Sequence, residues 1–169
     1  MSHQQFAEQF RAEHRQVRDL LLQLLQAFEQ RNTSRASELV RSIAALTGPH
    51  FRYEEEAVYP ALVPIFGDDY VQKLLSDHDR VISSAARLSA LAQKQALEEG
   101  EVQEAVRLIR GILPHVSDCD GLSIMVECLP DEQVKQIMDT RSRSLADNVD
   151  LLRWATTLRE RPVTLPAQA

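Results

Sequence analysis

The sequence predicts an all-α fold: an up-down-up-down four-helix bundle with an additional C-terminal helix. Three observations carry that expectation. Apolar residues recur at helical rather than alternating spacing along almost the whole chain. Only five glycines interrupt 169 residues. The periodic segments are separated by short polar turns, which lay consecutive helices antiparallel. A chain of this size suits one core, since single domains run roughly 100–200 residues. We expect one domain over 1–161, with the core bundle at about 3–128, the extra helix at about 131–159, and a flexible tail over 162–169.

The first helix is expected at about 3–30, where Phe10, Val17, Leu21, Leu24 and Phe28 share one stripe. Arg31-Asn32-Thr33-Ser34 ends it, and Thr33 or Ser34 is suited to cap the next helix. The second, at about 34–66, lines up Leu39, Ile43, Leu46, His50, Glu54, Ala57 and Ala61. Gly48-Pro49 predicts a kink or a break within it, because proline lacks the N–H that the helical ladder needs. Pro60 and Pro64 loosen its end, and Gly67-Asp68-Asp69 reads as a stop followed by a cap.

A third helix at about 69–97 aligns Val71, Leu74, Leu75, His78, Ile82 and Leu88, and Glu98-Glu99-Gly100 makes the turn. The fourth, at about 101–128, aligns Ile109, Ile112, His115 and Cys119. Pro130-Asp131 starts the fifth, 131–159. Its stripe of Val134, Ile137, Leu145, Val149, Leu152 and Trp154 is weaker, so it should pack across the outside of the bundle.

Several function classes are excluded early. A net charge of −6 and an isoelectric point near 5.4 argue against nucleic acid, which selects a basic face, and against anionic membranes. No apolar run approaches the roughly 18 residues that span a bilayer. The start, MSHQQFAEQF, lacks the charged and apolar regions of a secretory signal. On a helix Cys119 and Cys128 stand about 13 Å apart along the axis, too far for a disulfide. A reducing cytoplasm is the expected location.

The histidines are the informative residues. His14, His50, His78 and His115 occur one per helix, each inside an otherwise apolar stripe, while His3 sits at the terminus. A buried imidazole needs a hydrogen-bond acceptor or a metal. Packing accounts for one such residue, but metal sites in bundles are built from side chains on facing helices. Glu54 follows His50 by four and shares its face. Glu55 and Glu56 are rotated toward solvent and read as an exposed charged face. After His115, helical geometry favours Asp118 or Cys119 over Asp120, which lies ~140° away unless a π-type widening brings it back. Gly121 would tolerate such an irregularity.

The order His14, His50-Phe51-Arg52-Tyr53-Glu54-Glu55, Asp77-His78, and His115 with Asp120 resembles the hemerythrin-like (HHE cation-binding) family over about residues 8–128. That family's pattern is H…HFxxE(E)…HxxxH…HxxxxD on a four-helix bundle. The resemblance implies two non-haem iron ions bridged by carboxylates. His14 and His50 would serve one iron, His78 and His115 the other, and Glu54 and Asp120 would bridge them; HxxxxD is what selects Asp120. The chain departs at one point: Leu74 stands where the third-helix motif has its first His. One iron would then be more open, or be completed by water or a nearby side chain.

The implied function is binding of dioxygen or a related small oxidant for sensing, delivery or detoxification, with oxidase- or peroxidase-like chemistry also open. Two other readings compete: a metal-stabilised regulatory module that meets a protein partner through the fifth helix, and a metal-free bundle. Imidazole with carboxylate suits iron, whereas structural zinc more often shows CxxC pairs, and the Glu-x-x-His signature of ferritin-like bundles is absent. Cys119 reads as a small buried hydrophobe or as a thiol responding to oxidants. Tyr53 fits a hydrogen bond near the metals or the solvent face, and Trp154 reads as packing. No glycine loop for a nucleotide and no nucleophile-plus-base pair is present, so no enzyme class is assigned.

Overall fold

The structure, a computed structural model, describes residues 3–163. Among these residues it is all-helical and contains no strand. Four rods form the bundle. They are α1 (His3–Glu29), a second rod made of α2 (Thr33–Tyr53), a π-turn (Glu54–Val58) and α3 (Tyr59–Phe66), then α4 (Asp68–Ala92) and α5 (Glu99–Asp120). α1 packs on α2 and α5, and α4 on the same two, which closes a ring of four. A short α6 (Leu122–Val126) leans on α1.

Local chemistry explains most boundaries. Asn32, rather than Thr33 or Ser34, caps α2, its side chain accepting from the Arg35 N–H at 3.0 Å. Glu98 and Glu101 form a reciprocal capping box, so the expected turn residue Glu99 already begins α5. Gly67, at φ 81°, ends α3 in a conformation that side-chain-bearing residues resist.

Two irregularities fall where they were not expected. α2 runs through Gly48-Pro49 without a break. The glycine serves a neighbour instead: a Cβ there would come within 2.1 Å of the Val149 carbonyl oxygen. The widened turn belongs to the second rod, at Glu54–Val58, not to the fourth, where α5 stays α-helical through Asp120 and Gly121 is in ordinary right-handed geometry.

The extra C-terminal helix is present on the outside of the bundle, but it is two helices, α7 (Asp131–Asp147) and α8 (Leu151–Thr157). Asn148 takes the left-handed conformation at φ 48° that ends α7, and the Asp150 side chain caps α8. α7 lies on α2 and the π-turn, α8 on α2 and α4. Pro162 and Val163 lie beyond the helices, and the rest of the expected tail falls outside the described residues.

The apolar interior is divided in two. One cluster holds Leu21, Phe28, Leu39, Leu91, Ile109 and Trp154; the other holds Phe6, Phe10, Tyr59, Leu62, Leu74 and Cys119. In α1 and α4 the histidine falls between residues of the two clusters, and in α2 and α5 it falls at the end of the first, shortly before Tyr53 and Cys119 of the second. A polar layer is thus sealed between two apolar ones.

Candidate metal centre

Four rods each bring one imidazole into that layer. His14, His50, His78 and His115 are all buried, as is Glu54, at 0% exposure. His14 and His50 have ring centroids 4.6 Å apart, and His78 and His115 4.9 Å. Glu54 lies between the pairs. Its Oε1 is 3.3 Å from His50 Nε2 and 4.0 Å from His14 Nε2, and its Oε2 is 3.2 Å from His78 Nε2. Neither oxygen has a hydrogen-bond partner of acceptable geometry.

The far side of three rings is held by an acceptor. His14 Nδ1 stands 2.9 Å from the Phe10 carbonyl, His50 Nδ1 2.6 Å from Glu13, and His78 Nδ1 2.8 Å from Glu55. An acceptor at Nδ1 fixes the tautomer and turns Nε2 inward, the arrangement that outer partners impose on metal-binding histidines. Phe51 stacks on the His78 ring at 3.8 Å and limits its tilt.

The orienting acids are anchored in turn by the C-terminal helices. Arg141 of α7 forks onto Glu13, its Nε at 2.9 Å. Arg159, just after α8, donates to both oxygens of Glu55 at 2.9 and 2.7 Å and to Asp79 at 2.7 Å. Arg161 donates to the other Asp79 oxygen at 3.0 Å.

The π-turn determines which residues of the second rod face inward. The Tyr59 N–H bonds the Glu54 carbonyl, so residues five apart share a face. Glu54 and Tyr59 are therefore both turned inward. Glu55, expected on the solvent face, has only 9% of its side chain exposed, while Glu56 is exposed as expected, at 44%. Tyr53 is buried, its hydroxyl donating to Glu13 at 2.7 Å. Tyr59 places its hydroxyl 2.9 Å from His78 Nε2. On the fourth rod Cys119 is buried, whereas Asp120 is 43% exposed, with Oδ1 4.0 Å from His14 Nδ1.

The charges follow from this geometry. Burial pushes the His50 imidazole down, but Glu54 and Glu13 on its two sides outweigh that and raise it to about 10. Burial likewise opposes, and Glu54 and Glu55 outweigh, the shift at His78, which rises. Burial would lift Glu54, yet His50 and His78 hold it well below the usual carboxylate range. Glu13 is held at about 2 against its own burial by His50 and Arg141. Burial, with His78 beside it, drives His115 down to about 3. Burial and the neighbouring His50 also lower His14. His14 and His115 are thus biased toward the neutral ring, and His50 and His78 toward the protonated one.

A donor set of this kind fits a cation. A fully buried carboxylate without hydrogen bonds is costly, and inward-facing ring nitrogens on both of its sides suit positive ions there. Donor atoms of His78, His115 and Cys119 lie within 4.8 Å of one another, as do those of His14, Glu54 and Cys119.

Fold and site together define a helical bundle whose buried polar layer gathers groups suited to a cation. The family model described as the hemerythrin HHE cation binding domain matches residues 5–122, and the chain belongs to that family. The comparisons with curated proteins and with solved structures return no match. α7 and α8, with Arg141 and Arg159, lie beyond the matched residues. Among the described residues no helix is long and apolar enough to cross a membrane.

Proposed function

We propose that the chain is a cytoplasmic non-haem di-iron protein that binds dioxygen or a related small oxidant, for sensing, delivery or detoxification. His14 and His50 hold one iron, and His78 and His115 the other. Glu54 joins them, and Asp120, 43% exposed with Oδ1 4.0 Å from the outward Nδ1 of His14, would turn in from the rim to complete the set. The observation that carries this reading is Glu54: a fully buried carboxylate with no well-formed hydrogen bond at either oxygen and ring nitrogens of different rods on either side. Iron held by these residues would supply the centre at which a small oxidant binds.

The surroundings favour such a ligand. A cavity of about 40 Å3 adjoins His115 and is lined by Val17, Leu21, Phe51, Ile112 and other apolar side chains. Its Thr47 hydroxyl is already spent on the Ile43 carbonyl at 2.7 Å. A cavity that size admits a diatomic molecule and disfavours ions, which lose hydration without compensation.

The test is elemental analysis of protein purified from iron-supplemented cells, expected to give close to two irons per chain with near-ultraviolet charge-transfer absorption. His50→Ala and His115→Ala should each lose most of the metal. Full metal retention in both variants would place the site elsewhere. The two arginine anchors favour a second reading, a regulatory module that reports metal occupancy through α7 and α8. A large thermal shift on loading, with no reaction toward oxygen or peroxide, would select it.

A further inference from the structure

The inference builds on the metal reading and concerns the His78–His115 side, where Leu74 supplies no imidazole. Leu74 is buried in the same apolar cluster as Tyr59 and Cys119. Cys119 follows His115 by four in an uninterrupted α-helix, so both side chains project the same way. Its Sγ lies 3.6 Å from both ring nitrogens of His115 and 3.6 Å from the Tyr59 hydroxyl.

Position distinguishes this thiol from a small buried hydrophobe. Sγ is the one donor common to the two groups that lie within 4.8 Å, one with His78 and His115 and one with His14 and Glu54. Its neighbours are ring nitrogens, a phenol and a carboxylate. Independently, the fully buried Glu54 turns two unpartnered oxygens into the same space. Cys128, by contrast, is exposed.

We infer that Cys119 is a thiolate ligand of the cation held by His78 and His115, filling the coordination place that Leu74 leaves empty. On binding, the S–H bond breaks, a metal–sulfur bond forms, and the proton leaves to solvent; no electrons are exchanged. A soft sulfur donor beside two imidazoles favours iron or zinc over harder ions on that side.

The full-length chain is loaded with iron, oxidised, and examined by visible absorption, metal analysis and X-ray absorption. The wild type should show a sulfur-to-iron charge-transfer band and a sulfur scatterer at about 2.3 Å, the distance typical of zinc–thiolate bonds. Cys119→Ser should lose the band and bind one of the two ions more than about tenfold more weakly, on the scale set by outer-partner mutations. Cys128→Ser and Tyr59→Phe should retain the band. The X-ray absorption measurement needs no variant, so it decides even if Cys119→Ser folds poorly. Two irons in the wild type without a sulfur neighbour, or a band lost only in Tyr59→Phe, overturns the Cys119 assignment alone. A wild type that takes up no iron overturns the metal reading and this inference together.

Discussion

His50, on one side, and His115 and Glu13, on the other, set opposite pH demands on the metal-free protein. His50 titrates near 10 when folded against an ordinary 6.5, so its contribution to stability is complete below pH 6.5 and is lost as pH rises toward 10. His115 titrates near 3, so the unfolded chain takes a proton below pH 6.5 that the folded chain refuses, and stability is lost as pH falls. Glu13, near 2 against 4.5, adds a further loss below pH 4.5. The metal-free melting temperature should therefore peak near pH 6.5 and fall on both sides. A steady rise from pH 6.5 to 9 would contradict the His50 assignment. Iron affinity should instead climb with pH, by about tenfold per unit for each proton displaced. At this scale the four imidazoles were legible because each interrupts an apolar stripe of fixed period. Glu13 and Glu55 were not, because their partners lie 37 and 23 residues away along the chain and an acid on a polar helix face reads as solvated.

The helical rods were legible from period and turns, but the π-turn was not, since a one-residue widening leaves no compositional mark and Glu55-Glu56 looks like a solvent face. Helical geometry also raised a widened turn on the fourth rod as the condition for Asp120 to face inward; that rod stays α-helical, with Cys119 buried and Asp120 43% exposed. Deleting Ala57 should restore α-helical pitch and swing Tyr59 away from His78. Because α3 then shifts by one residue against α4, the melting temperature is expected to fall while helical circular dichroism stays near wild type; an unchanged melting curve would show that the widening is dispensable. α7 and α8 carry a separate prediction. Arg141→Ala and Arg159→Ala free Glu13 and Glu55, and each should weaken iron binding by about 10–100-fold, the range seen when outer partners of metal-bound histidines are removed. Arg159→Ala also removes one of two arginines from buried Asp79, Arg161 remaining, and should lower the midpoint in unfolding measurements. Unchanged iron titrations in both variants would show that the anchors serve packing alone.

Across the whole molecule a polar layer separates two apolar cores, and the fold tolerates it only with its charges matched. Chelation should lower the melting temperature, and iron at about 100 times its dissociation constant should restore some 2.7 kcal/mol. Equal melting curves with and without iron would exclude tight binding to the folded state. Gly48→Ala should displace the chain at Val149–Leu151, costing about 1–3 kcal/mol through overpacking against backbone, and a wild-type melting curve would exclude that close approach. The bundle and the outer position of the last segment were readable from the sequence, but the break at Asn148 was not, since Leu145, Val149 and Leu152 continue the helical stripe across it. The thread from His78 through Glu55 to Arg159 has a consequence that runs outward from the centre. If that thread raises affinity for the ion, thermodynamic reciprocity requires the ion to hold the thread shut by an equal factor. Trypsin, which needs a loosened backbone around Arg159 to cut there, should digest that end more slowly when the protein is loaded, making the distal chain a surface readout of an occupant buried in the core.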